Sequence, residues 1–330
     1  MSEFEIIQRI AARGDGITAS GRHVAGGVPG DHIAPDGTLT PGSHHVAPPC
    51  RHFPTCGGCQ LQHADEEALR QFVTDRVVHA AEGQGIAPAT LLETHLSPPR
   101  SRRRATLHGL RTGRSAVLGF REGGSHRIVD MRECHILTPE LFALVTPLKT
   151  LIAAHGGRQA VDIELTLADQ GIDCLLKGIA AEGLAATGAE TIADLFSGLG
   201  TFAFALAGPR KVLAVEAARE PHLACKTAAN MRGLPVLTLH RDLFRNPLQS
   251  DEVSRFGAVL LDPPRAGARE QVAQIAASTA TRVVYVSCNP ASWARDAKLL
   301  AEAGFRLETL RPVGQFRWST HVEVTSYFTR

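Results

Sequence analysis

The chain has 330 residues, 44% of them apolar, and a formal net charge of +2. That length favours two or three domains with substantial cores, and no apolar run reaches the roughly 18 residues of a membrane span. Seven cysteines, an odd count at uneven spacing, argue against a disulfide framework. The start, Met1-Ser2-Glu3-Phe4-Glu5, lacks a signal pattern, so a cytoplasmic setting is expected.

Residues 1–47 are rich in glycine and proline. Ile6 to Ile10 reads as a strand, followed by turns at Gly14-Asp15-Gly16, Gly26-Gly27 and Pro29-Gly30. A small β-barrel and a partly disordered arm both suit this composition. Pro48 to Cys59 is a cysteine-bearing loop. A helix is predicted from Ala64 to about Ala81, with Leu69, Phe72, Val73, Val77 and Val78 at helical spacing. Arg100, Arg102, Arg103, Arg104, Arg111 and Arg114 form a cluster suited either to phosphates or to a solvated basic edge.

Strands follow at Ala116 to Phe120 and Val161 to Leu167, with a helix predicted over Leu141 to Ala154. From Glu190 the pattern becomes alternating strand and helix. The strands are Ile192 to Phe196, Lys211 to Glu216, Val236 to Leu239, Ala258 to Leu261 and Arg282 to Ser287. That alternation is the signature of a doubly wound, mostly parallel α/β sheet.

Three motifs lie at the ends of those strands. The turn Asp194-Leu195-Phe196-Ser197-Gly198-Leu199-Gly200-Thr201 sits where a nucleotide-like ligand binds an open sheet. Glu216, at the end of the next strand, is placed to grip two ribose hydroxyls, and Asp242 to accept from an adenine amino group. Phe202 and Ala203 stand where a pyrophosphate fingerprint has its third glycine. An adenosyl ligand such as S-adenosylmethionine therefore fits better than a dinucleotide. Asp262-Pro263-Pro264-Arg265 is a stiff loop that holds Asp262 toward a substrate. Cys288 ends a valine-rich strand before Asn289-Pro290, a position for a nucleophile.

Taken in order, these segments resemble the bacterial RNA (uracil-5-)-methyltransferases, especially the iron–sulfur-containing 23S ribosomal RNA type. The resemblance is carried by Cys50-x5-Cys56-Gly57-Gly58-Cys59-Gln60-Leu61-Gln62-His63, by Gly119-Phe120-Arg121-Glu122 through Ser125-His126-Arg127-Ile128-Val129-Asp130 to Cys134, and by the three motifs above. It ends with His321-Val322-Glu323. It implies a short TRAM-like barrel over 1–47, a central α+β domain over 48–178, and a Rossmann-like class I methyltransferase domain over 179–330. It also implies a 4Fe-4S cluster on Cys50, Cys56, Cys59 and Cys134, with zinc or plain buried thiols as the other readings of those cysteines.

In the implied reaction Cys288 attacks C6 of uracil and Glu323 serves as the base, with S-adenosylmethionine held by Phe196, Gly198, Gly200, Thr201, Glu216, Asp242 and Asp262. The expected partner is RNA, 23S rRNA ahead of tRNA, gripped by the basic segment and the barrel of a monomer. The chain departs from the family pattern in two places. No Phe-x-Gln motif follows Leu175-Leu176-Lys177-Gly178, and Gln315 stands where an acid is usual. These departures keep an RNA-binding iron–sulfur protein with a weakened methyltransferase site as an alternative. Methylation of an exocyclic amine, which needs no cysteine, is another.

Overall fold

The computed structural model describes residues 4–156, 159–167 and 189–330. Leu175 to Gly178, Cys174 and most of the connection that follows lie outside the described residues. The chain folds into two compact units. One draws on residues 4–74, 96–167 and 314–321, the other on 75–95, 189–313 and 322–330.

The first unit begins with β1 (Glu5–Ile10), β2 (Gly16–Thr18), β3 (His23–Val24), β4 (His32–Ile33) and β5 (Leu39–Thr40), paired antiparallel in the order β3-β2-β1-β4-β5. Its small core is Ile7, Val24 and Ile33. Gly27 is needed there because a Cβ would collide with the Ile7 side chain. The helix α1 (Glu66–Glu82) follows, and it buries Leu69, Phe72, Val73 and Val77 as the helical spacing predicts. After it come the short strands β6 (Thr90–Leu91) and β7 (His95–Leu96).

A three-stranded antiparallel sheet then forms from β8 (Arg104–Thr112), β9 (Ser115–Gly119) and β10 (Val161–Thr166), with β8 in the middle. The single helix predicted over Leu141 to Ala154 is instead two, α2 (Pro139–Ala143) and α3 (Val145–His155). The break has a covalent cause. Pro147 has no N–H to give the Ala143 carbonyl, so the first helix ends there and Pro147 falls in the opening turn of the second. Leu107, Leu118, Met131, Leu141 and Ile152 close a core between helix and sheet.

The second unit is the predicted α/β sheet. In chain order its elements are β11 (Thr191–Leu195), α4 (Thr201–Ala207), β12 (Lys211–Glu216), α5 (Arg219–Arg232), β13 (Val236–His240), α6 (Ser250–Val253), β14 (Ala258–Leu261), α7 (Arg269–Ala277), β15 (Arg282–Ser287) and α8 (Pro290–Glu302). Two strands that the alternation did not reveal complete it, β16 (Arg306–Gly314) and β17 (Glu323–Thr329). The strand order is β13-β12-β11-β14-β15-β17-β16-β6. The first five are parallel, and β17 enters antiparallel between β15 and β16. The sheet is therefore mixed. Ala258 to Leu261 and Val283 to Ser287 are buried residue after residue, as expected of central strands covered on both faces. Because β17 runs backwards, its first residue lies at the edge where β11, β12, β14 and β15 end.

Candidate active site and cysteine cavity

The turn after β11 is shaped by its glycines. Gly200 has φ +82°, and a Cβ on it would run into the Cys225 Sγ while standing 3.2 Å from Phe204. Gly198 also has positive φ, +53°, but a Cβ there would meet nothing within 4 Å. One glycine serves packing, and the other leaves space beside the backbone. Phe196 takes φ +63°, a left-handed conformation that a bulky residue adopts only when its surroundings hold it there. Its ring lies 5.3 Å from that of Phe244.

Phe196, Glu216, Phe244, Asp262 and Pro263 line an open cavity of ≈ 280 Å³ in this unit. Glu216 closes the turn, accepting from the Gly198 N–H at 2.8 Å and the Ala218 N–H at 2.7 Å, one on each carboxylate oxygen. Each oxygen keeps a second lone pair for a ligand hydroxyl. Asp242 stands in the loop after β13, where its Oδ1 accepts from the Phe244 N–H at 2.9 Å. Its neighbours Arg241, Leu243 and Phe244 form the wall that Asp242 itself does not. Gly198, Gly200 and Thr201 belong to the turn and the first residue of α4.

Cys288 and Glu323 come together through strand register. Ser287 pairs with Val324 across β15 and β17, so the next step of the antiparallel ladder sets Cys288 opposite Glu323. Opposed residues in such a ladder carry Cβ atoms about 5 Å apart. Glu323 is buried, 7% exposed, and also pairs with Val313. It is therefore not the solvated edge acid that its position near the C-terminus allows. Cys288 is half-buried. Burial first, and then the Glu323 charge, push its thiol above the ordinary cysteine range, while Arg265 pulls it down.

The chain around that thiol is held firmly. Asn289 caps α8 by accepting from the Ala291 N–H at 3.1 Å, and its amide donates to the Arg265 carbonyl at 2.9 Å. One side chain thus joins the cysteine turn to the Asp262–Arg265 loop. Pro290, at the first helical position, lacks the N–H that would be unpaired there.

Two buried acids were given no role from sequence. Asp296, fully buried, accepts from the Tyr285 hydroxyl at 2.7 Å and the Ala268 N–H at 2.6 Å, and pairs with Arg295 at 2.7 Å. This network fixes the far side of the proline loop, and Gly267 is required because a Cβ would lie 2.5 Å from the Asp296 carboxylate. Asp194 is also fully buried, and burial followed by the Asp262 charge raises its carboxyl to about 8. The one signal in the sequence was a lone acid in each of two helix and strand interiors.

In the other unit, Cys50, Cys56, Cys59 and Cys134 line one small cavity of ≈ 20 Å³ together with His52, Phe120 and others. None of the four is in a disulfide. Gly57 and Gly58 permit close approaches: a Cβ on Gly57 would be 2.7 Å from the Arg121 carbonyl, and one on Gly58 would be 3.1 Å from the Phe120 ring. The Cys56 N–H donates to the His52 carbonyl at 2.8 Å, and the Cys50 N–H to the buried Gln62 amide at 3.2 Å. Burial raises all four thiols, Cys59 to about 12. Thiolates in such a place need positive charge brought to them. Among the described residues no group of three or more His, Cys, Asp or Glu is arranged to hold a metal ion. Nor is any described helix long and apolar enough to cross a membrane.

Comparison with known proteins adds three findings. Residues 179–330 match the tRNA (uracil-5-)-methyltransferase family model. A protein of Zymomonas mobilis, named an uncharacterized RNA methyltransferase, is 42% identical over 98% of this chain and 99% of its own. That alignment runs over 393 residues against the 330 of this chain, so the relative carries stretches that this chain lacks. The 23S rRNA (uracil(1939)-C(5))-methyltransferase of Pectobacterium atrosepticum is 28% identical over 88% of this chain and 81% of its own.

In structure, the Pyrococcus abyssi tRNA (uracil-54, C5)-methyltransferase, solved with S-adenosyl-L-homocysteine, superposes with a TM-score of 0.73 over 99% of this chain and 100% of that one. At 18% identity this shows a shared fold. The buried sheet, the glycine turn and the identity to whole-length relatives agree: the chain belongs to the RNA methyltransferase family of these relatives, and its residues 179–330 match the (uracil-5-)-methyltransferase model.

Proposed function

We propose that this enzyme methylates C5 of a uridine in 23S rRNA through a covalent adduct between Cys288 and C6 of the base. The observation that carries the reading is the closeness of Cys288 and Glu323, one residue beyond the last pair of β15 and β17, with Asp262 of the Phe196-lined cavity also acting on the thiol. The cavity fits S-adenosylmethionine: it has aromatic walls, an acid at the end of β12 and free space over Gly198. Phe196, Glu216 and Asp262 would touch that ligand, with Gly198, Gly200, Thr201 and Asp242 shaping the backbone around it. When bound, S-adenosylmethionine supplies a methyl group activated by a sulfonium.

The residues of the chain do the rest. The Cys288 thiolate adds to C6, and the electron pair of the 5,6 double bond moves toward C5 as an enolate. C5 takes up the methyl group. The Glu323 carboxylate then removes the C5 proton, the double bond re-forms and the Cys288 sulfur leaves as thiolate. Because the thiol of the free enzyme is held above its ordinary range, it must lose its proton as the base docks. Arg265 favours the thiolate. The target uridine must be unstacked before the sulfur can reach it.

The cysteine cavity supports the 4Fe-4S reading by its chemistry. Four soft ligands free of disulfides, Cys50 and Cys59 buried and Cys56 and Cys134 partly so, line one cavity. Cys50, Cys56, Cys59 and Cys134 would hold the cluster, and its irons would neutralise the thiolates. The same reading gives 1–47 and the basic segment of 48–178 to RNA binding, as a short TRAM-like barrel and a central domain, and 179–330 to methyl transfer in a cytoplasmic monomer. Transfer RNA is the runner-up substrate, since the family model is named for it.

The test is to incubate the enzyme with S-adenosylmethionine and 23S rRNA transcribed with 5-fluorouridine, whose C5 fluorine blocks the last step. A denaturant-resistant adduct that maps to Cys288 is expected. Turnover of natural RNA without any trapped adduct would overturn the mechanism.

A further inference from the structure

Arg102 falls in the basic stretch that the sequence offers to phosphates, yet its guanidinium is turned to a different task. It lies over the Phe316 ring at 4.8 Å and the Phe120 ring at 5.5 Å, and its Nε donates to the Arg104 carbonyl at 2.9 Å. Phe120 packs in turn on Gly58, between Cys56 and Cys59. Burial lowers the affinity of the guanidinium for its proton. The Arg102 N–H donates to the Ile136 carbonyl at 2.8 Å, and Ile136 and Phe120 both line the cysteine cavity. A cation held between two rings, without a carboxylate, is expensive to desolvate unless an anion stands nearby.

We propose that Arg102 is the counter-cation of the iron–sulfur cluster, held against it by Phe120 and Phe316. The inference rests on the cluster reading of the four cysteines. A four-iron cluster with four thiolate ligands is negative in both common oxidation states, and more so by one electron when reduced. A fixed positive charge beside it therefore favours the reduced form, and net charge is one of the main controls on such potentials. Arg102 acts through electrostatics and is a positioning residue, not a catalytic one. A planar guanidinium suits this place because it stacks on both rings while keeping its charge.

The test uses the full chain purified anaerobically, with wild type, Arg102→Met and Arg102→Lys compared. Visible absorbance reports the cluster, and redox titration followed by electron paramagnetic resonance reports its midpoint. In Arg102→Met the ratio of reduced to oxidised cluster at a fixed potential should fall about tenfold, which is about 59 mV for one electron. Arg102→Lys should stay near wild type. Should the Met variant fail to fold, Arg102→Gln removes the charge while keeping a planar polar head, and the same fall is expected. A cluster-bearing Met or Gln variant with an unmoved midpoint overturns the proposal, and unmoved potential with weakened RNA binding would return Arg102 to the phosphates. Wild-type protein without cluster absorbance would overturn the cluster reading itself, and this inference with it.

Discussion

Five of the six described cysteines of this chain divide between two surroundings, and the contrast is instructive. Cys50, Cys56, Cys59 and Cys134 line one small cavity, each pushed up by burial, with Arg102 acting on Cys134. Cys288 stands alone at a strand end, half-buried, with a carboxylate opposite and Arg265 nearby. In the first place several thiols share a shielded space, which is how ligands are arranged. In the second, one thiol with its own acid and base partners meets an open edge, which suits a nucleophile. The residue type is the same, and the neighbours decide the chemistry.

The sharpest break of that contrast is Cys288→Ala. Methylation should fall on the order of 10⁴-fold or more, as when other covalent nucleophiles are removed. Binding of S-adenosylmethionine, measured by calorimetry, should change by less than about twofold, because no cavity-lining side chain is lost. Retained methylation would remove Cys288 from the mechanism. In the other surroundings, Cys56→Ser should abolish the visible iron–sulfur absorbance of anaerobically purified protein and leave Cys288 alkylation at its wild-type rate. An unchanged spectrum rejects Cys56 as a ligand.

The glycine turn gives a smaller effect with a built-in control. Gly200→Ala adds a methyl group against Cys225 and Phe204 at positive φ, and should cost roughly 2–3 kcal/mol of stability. Gly198→Ala carries only the backbone strain, about 1 kcal/mol, and its main consequence should be weaker cofactor binding. Equal melting temperatures for the two variants would contradict this division of roles.

The mildest effect concerns the pH dependence of Cys288. Because burial and the Glu323 charge raise its thiol, alkylation by iodoacetamide should climb with pH through a midpoint above that of an ordinary cysteine. Glu323→Gln removes one of the two causes, so the midpoint should move down and the rate at about pH 8 should rise two- to tenfold. Burial remains in the variant, and keeps the midpoint above the ordinary value. A rate unchanged by the substitution would mean that the carboxylate does not act on the sulfur.

Much of the second unit was legible before any coordinates. Lys211–Glu216, Ala258–Leu261 and Arg282–Ser287 are strands with the limits predicted, because a central parallel strand must be apolar on both faces and leaves a continuous apolar run. The strands β16 and β17 were not anticipated, since they carry charged and hydroxyl residues at alternate positions and break the rhythm of strand and helix. Yet β17 is the strand that brings Glu323 to the thiol. Pro147 shows the opposite failure: the apolar spacing continues across it, and the missing N–H still divides the helix.

What the amino-acid order determined by itself was the local chemistry: which turns need glycine, which segments pair as parallel strands, and which residues can act as nucleophile, base or soft ligand. These follow from short-range sterics and hydrophobic periodicity, which are written in neighbouring residues. Tertiary structure alone decided who meets whom. It set Cys288 against Glu323, 35 positions away in the chain, and buried Asp296 beneath a proline loop. It also set the Arg102 guanidinium over the rings of Phe120 and Phe316. Such meetings depend on strand order and on the direction of β17, and neither leaves a mark in any short window of sequence.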